Sequence, residues 1–172
     1  MRLKGKVALV AGAARNIGKA IALTYAREGA DLILVARNTG DELKQVAKDC
    51  ETFGVKTISM LADVGNPDDV NRVVSQGLDH FGKVNVLACV AALRPHKPFW
   101  EISIEEWHQV FAVNLHSTFY LAKALAPMFM EKIARRQHRR ARGPGVDDRA
   151  AVARPRRCVK NRPLRPGQIA GA

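Results

Sequence analysis

Tyrosine is scarce in this chain of 172 residues: only Tyr25 and Tyr120 occur, so chemistry that needs a phenol has two places to find one. Cysteine is scarce too. Cys50, Cys89 and Cys158 are an odd number at wide spacing, a pattern that fits neither a disulfide framework nor a metal cluster and points to a reducing compartment. Long apolar runs are missing: the longest, Leu115 to Met130, carries His116 and Lys123 and falls short of the roughly 20 residues a membrane helix needs. Arg2, Lys4 and Lys6 precede the apolar Val7–Ala14 in the manner of a signal peptide, but Arg15, Asn16 and Lys19 interrupt that run too soon. A soluble, cytoplasmic protein without a membrane partner is expected.

Phe, Trp and Tyr are absent from residues 134–172, whose large aliphatics beyond three Val are Leu164 and Ile169. Such a segment buries too little apolar surface to offset its chain entropy, and disorder is expected from Ala134. The net charge of +12 belongs to the same segment. Residues 1–133 hold 16 basic and 14 acidic side chains, whereas the last 39 hold 12 basic against Asp147 and Asp148. Basicity is thus a property of a tail, and with no aromatic ring there to stack on a base, nucleic acid is not the expected partner.

The first 133 residues alternate short apolar runs with longer segments of helical period. Val7–Ala11, Leu32–Ala36, Thr57–Leu61 and Val84–Val90 have the length and composition of strands buried on both faces. Amphipathic segments at about 17–29, 40–53, 67–81 and 104–131 lie between and after them. Strand and helix in alternation predict an α/β, Rossmann-like doubly wound parallel sheet. Gly29, Gly54 and Gly82 fall where helices end, and Asn66-Pro67-Asp68-Asp69 reads as a helix start. After residue 133 no apolar run of strand length follows, so the sheet is expected to stop at its fourth strand.

The first strand runs into Gly12-Ala13-Ala14-Arg15-Asn16-Ile17-Gly18 and directly into a helix. Glycines at such a turn let the backbone approach a pyrophosphate, and the first-turn N–H groups and helix dipole stabilise its charge. Asn16 stands where a third glycine would, and Asn tolerates left-handed backbone. At the end of the second strand, where an acid would accept from a ribose 2′-hydroxyl, stand Arg37 and Asn38. Arg37 with Arg15 suits a 2′-phosphate, so NADP(H) is expected over NAD(H). Asp63, after the third strand, is placed to accept from an adenine amino group.

These residues resemble the N-terminal part of a short-chain dehydrogenase/reductase, from about Leu3 to Lys132. The resemblance rests on the glycine turn Gly12–Gly18, Leu61-Ala62-Asp63-Val64, the fourth strand, and Val113-Asn114-Leu115. It implies a nicotinamide cofactor held by Gly12, Arg15, Asn16, Ile17, Gly18, Arg37, Asn38, Asp63, Val64 and Ala91. It also implies that Asn114 is the family's catalytic Asn, whose backbone carbonyl holds a water in a proton relay. The helix over 104–131 would build a subunit interface.

Departures matter as much as matches. Where the family has Asn-Asn-Ala-Gly after the fourth strand, this chain has Cys89-Val90-Ala91-Ala92. The family's acid/base Tyr, its Lys four residues later and its substrate-orienting Ser have no counterparts: four residues beyond Tyr25 and Tyr120 stand Gly29 and Ala124. The favoured reading is an oxidoreductase by resemblance whose catalysis is lost. Two alternatives are a non-catalytic NADP(H)-binding protein and a nucleic-acid binder acting through Arg135, Arg136, Arg139 and Arg140. The loop Arg94–Trp100 either borders a substrate site or is a Pro-stiffened surface loop with Phe99 and Trp100 packed inward. Because pattern and composition fail together near residue 133, the tail reads as a frameshift product: codons permitted by Gln137–Arg142, read from the second base, allow a strand-like string.

Overall fold

Alternation along the first strand sets the architecture. In β1 (Val7–Ala11) every residue is buried, Val7, Leu9 and Ala11 facing one apolar cluster and Ala8 and Val10 another. Successive strand residues point to opposite faces, so a strand without a polar residue requires cover on both sides. A computed structural model describes residues 1–141 and supplies that cover. Met1–Ala134 forms one compact unit, which holds the whole sheet.

Four parallel strands form the sheet: β1, β2 (Asp31–Ala36), β3 (Thr57–Leu61) and β4 (Val86–Cys89), in the order β3-β2-β1-β4. On one face α1 (Asn16–Arg27) and α2 (Gly40–Glu51) pack Ala22, Ala26, Leu43 and Val46 against Leu32 and Leu34. On the other, α3 (Pro67–Phe81) and α5 (Ser117–Ala141) bring Val70, Val73, Leu121 and Leu125 onto Leu9, Ile33 and Val35. Each fully buried Leu, Ile or Val contributes roughly 1.5–3 kcal/mol relative to exposure, which makes these two layers the main source of stability.

Helix boundaries follow local chemistry. Asn66 caps α3 by accepting from the Asp68 N–H at 2.9 Å, with Pro67 at the first position. Gly82 closes the helix at φ +67°, its N–H donating to Leu78 O at 2.7 Å. Gly29 and Gly54 likewise follow α1 and α2 at positive φ.

Three expectations change. The fourth strand is shorter than 84–90, although Asn85 and Val90 still donate to Val7 O and Ala11 O of β1. The segment 104–131 is not one helix: α4 (Ile104–Phe111) passes through a π-helical turn (Ala112–His116) into α5. And α5 continues to Ala141, past the boundary expected at 133. The sequence from Ala134 to Ala141 contains neither Gly nor Pro, and nothing in it stops a helix already started. The rest of the expected disordered tail, 142–172, lies outside the described residues. No helix among the described residues is long and apolar enough to cross a membrane.

Candidate functional site

All four strands point their C-terminal ends at one cleft of about 380 Å³. It is lined by the turn after β1, the ends of β2 and β3, the segment after β4, and Val113 from the π turn. In open parallel sheets this end, where neighbouring connections diverge to opposite faces, is where ligands bind. Here the divergence falls between β1 and β4, since the chain after β1 passes to α1 on one face and the chain after β4 leads to α5 on the other.

Backbone approaches backbone at the floor of the cleft. A Cβ on Gly12, whose φ is +88°, would stand 2.7 Å from Ala91 N, and one on Gly18 would stand 1.9 Å from Gly12 O. Neither contact is possible for a side chain, so Gly12 is required by the close approach of the segment after β4 and Gly18 by the packing of α1 on the turn after β1. Asn16 has φ +50°, the left-handed geometry expected of it. Arg15 is the N-cap of α1 yet forms no side-chain cap, and no acidic residue stands in the first turn. The first turn therefore presents uncapped N–H groups and the positive end of the helix dipole, a fit for a phosphate group.

Every sequence-expected cofactor residue lines this cleft: Gly12, Arg15, Asn16, Ile17, Gly18, Arg37, Asn38, Asp63, Val64 and Ala91. Reasoning from sequence missed Thr39, Leu93 and Val113, which also line it. Thr39 carries no motif, and Leu93 and Val113 arrive only through the loop after β4 and the π turn. Arg37 Nη1 lies 4.0 Å from Asp63 Oδ2, a pairing that joins the end of β2 to the end of β3. Asp63 Oδ1 accepts from the Gly65 N–H at 2.9 Å, and the Asp63 N–H donates to Asp69 Oδ2 at 2.8 Å. The Arg72 guanidinium, 2.6 Å from Asp69 Oδ1, holds the Asp69 carboxyl below the usual carboxylate range, helped by the Asp63 N–H.

Asn114 does not line the cleft. Its side chain instead pairs twice with the backbone of Leu93: Oδ1 accepts from the Leu93 N–H at 2.8 Å and Nδ2 donates to Leu93 O at 3.0 Å. Next to it Ser117 Oγ donates to Val113 O at 2.6 Å. Together these bonds pin the π turn and, through Leu93, the cleft's wall. Of the two readings of the loop 94–100, the one with Phe99 and Trp100 packed inward does not hold: on a short 3-10 turn (Phe99–Glu101) they are 77% and 83% exposed. Cys89 is a half-buried strand residue whose thiol burial pushes up despite a hydrogen bond from Thr118, in keeping with a small apolar role. Tyr25 packs on the α1 side of the sheet, and Tyr120 borders a separate notch with Pro67, Asn71 and Lys123. Neither tyrosine lines the cleft.

Comparison with known proteins places these features in context. The family model described as short chain dehydrogenase matches residues 6–137. A versicolorin reductase of Emericella nidulans is 34% identical over 122 residues, covering 71% of this chain and 46% of that protein. An NADP(+)-dependent L-rhamnose 1-dehydrogenase of Thermoplasma acidophilum is 30% identical over 128 residues, 74% of this chain and 50% of that one. Among solved structures, a short chain dehydrogenase of Burkholderia cenocepacia in complex with NADP superimposes with a TM-score of 0.71 at 28% identity, covering 74% of this chain and 52% of that one. The chain spans about half the length of the relatives it matches.

Proposed function

The chain belongs to the short chain dehydrogenase family, and from that premise we propose that its cleft binds a nicotinamide dinucleotide, NADP(H) in preference to NAD(H). One observation carries the reading: the uncapped first turn of α1 opens onto the same cleft as Arg15 and Arg37, over a floor where Gly12 and Gly18 leave no room for a Cβ. Gly12–Gly18 would hold the pyrophosphate, Arg37 with Arg15 a ribose 2′-phosphate, Asp63 the adenine amino group, and Ala91 and Val64 the ring faces. When bound, the nicotinamide ring gives or takes a hydride. The structure of the Burkholderia relative with NADP supports this reading by likeness.

Within the oxidoreductase family the activity would be carbonyl reduction or alcohol oxidation. For this chain we propose binding without turnover, because no Tyr-x-x-x-Lys exists in the sequence and neither tyrosine lines the cleft. Asn114 then acts as a remnant of the family's catalytic set, holding the wall at Leu93.

Fluorescence titration of the full chain with NADPH and NADH tests the reading. NADPH is expected to bind the tighter, and Arg37→Asp to shift preference toward NADH by about tenfold or more, the scale of losing a charge-assisted phosphate contact. Equal affinity for both cofactors in the parent chain would count against it. NADPH consumption with a panel of aldehydes and ketones would overturn the loss of catalysis.

A further inference from the structure

The two arginines at the cleft are not equivalent. Among the described residues no ion pair or side-chain hydrogen bond is formed by Arg15, whereas Arg37 has Asp63 beside it. Arg37 stands one residue beyond β2 and Asp63 two beyond β3, and the register Ala36↔Leu61 brings both to the same end of adjacent strands. We propose that Asp63 is a built-in counter-ion to Arg37 and so a specificity-determining residue, lowering the site's discrimination between nucleotides with and without a ribose phosphate. The inference rests on the nucleotide reading of the cleft and adds a regulator of its selectivity.

Asp63 is tethered on its own loop, and among the described residues Arg37 has no partner other than Asp63. The carboxylate is held at Oδ1 by the Gly65 N–H, its own N–H is held by Asp69, and its C=O accepts from the Asn66 N–H at 2.9 Å. Asp69 in turn is gripped by Arg72, whose Nη2 also donates to Leu61 O at the end of β3 at 3.0 Å. Arg37 has a side chain 43% exposed and a pair at the 4.0 Å limit, so its guanidinium is free to turn toward a ligand. A phosphate arriving there would have to share the guanidinium with a carboxylate that is tethered at Oδ1. A nucleotide with a free hydroxyl leaves the pair intact, and no unpaired cation results. Asp63 therefore disfavours the first and spares the second.

Removing the charge is expected to sharpen selectivity. In the full chain the ratio of the NADH to the NADPH dissociation constant is measured for the parent, Asp63→Asn, Arg37→Gln and the double variant, at one low ionic strength. Any loss of an adenine contact weakens both nucleotides alike and cancels in the ratio. Asp63→Asn is expected to raise the ratio about fivefold or more, and to change it by less than about threefold when Arg37 is already Gln. Asp63→Ser removes the charge, keeps an oxygen for the Gly65 N–H, and is expected to act in the same direction if the Asn variant does not fold. An unchanged or lowered ratio with both nucleotides still bound overturns the counter-ion role and leaves the nucleotide reading standing. An equal rise in both Arg37 backgrounds also overturns it, since the carboxylate would then act on the phosphate directly. Failure of the parent to bind either nucleotide removes the nucleotide reading itself, and this inference falls with it.

Discussion

Asn16 has positive φ, alone in this among the described residues other than glycine, and it does so inside the turn that faces the cleft. Left-handed backbone costs an ordinary L-residue roughly 1–2 kcal/mol, least for Asn and nothing for Gly. Asn16→Gly is therefore expected to leave the urea midpoint nearly unchanged, and Asn16→Val to lose about 1–2 kcal/mol. Gly18 is under a harsher constraint, because its missing Cβ would overlap Gly12 O, a backbone atom that cannot turn aside. Gly18→Ala is expected to cost about 2 kcal/mol or more by overpacking and to abolish nucleotide binding, as read by urea titration and by NADPH fluorescence. Cys50 shows burial acting on a titratable group: it is fully buried on α2, and its thiol is pushed up to about 11, first by loss of solvent and then by the charges of Asp49 and Glu51. Near neutral pH it is expected to resist thiol reagents until the chain unfolds. Labelling of Cys50 in the folded protein, mapped by mass spectrometry, would contradict this.

At the scale of elements, the π turn between α4 and α5 ties the cleft to the helical layer. Asn114 supplies both bonds to Leu93, so Asn114→Ala is expected to cost about 1–3 kcal/mol and to speed hydrogen exchange at the Leu93 amide. The turn itself was not legible in the sequence. The exposed apolar residues Ile104, Trp107, Phe111, Leu115 and Phe119 and the buried set Val113, Ser117, Leu121 and Leu125 both run at near-helical spacing, and one extra residue in a turn leaves no mark on such a pattern. The strands were legible because short aliphatic runs have a length and composition that helices lack, although only the inner β1 and β2 are buried on both faces and the edge strands β3 and β4 are partly exposed. The glycine turn was legible because its backbone geometry restricts residue type. The Arg37–Asp63 pair was not, since it depends on which strands become neighbours. The loop after β3 also carries a pH dependence. Asp69 is held low by Arg72 and then by the Asp63 N–H, so its folded value lies below its unfolded one. That contribution is complete above the ordinary carboxylate range and is lost as pH falls through the depressed folded value. The urea midpoint is expected to decline below about pH 4, less steeply in Asp69→Asn than in the parent.

In the molecule as a whole, β4 forms one edge of the sheet with all four residues half-buried, and α4 and α5 carry exposed aromatic and aliphatic side chains. Exposed apolar side chains and an open sheet edge favour association. The full chain is expected to self-associate with rising concentration, and Leu115→Glu with Phe119→Glu to weaken that association, as read by sedimentation velocity. A concentration-independent monomer would refute it. The sheet order has one more consequence. β1 is an inner strand, and its second neighbour arrives late: Val7 meets Asn85 across a gap of 78 residues. Contacts of such separation close slowly, because loop entropy is lost before the contact is made. The wall formed by Ala91 and Leu93 does not exist until that closure, so a nucleotide meets a finished cleft only in the native state. A bound nucleotide should then leave the refolding rate unchanged and act wholly as a brake on unfolding.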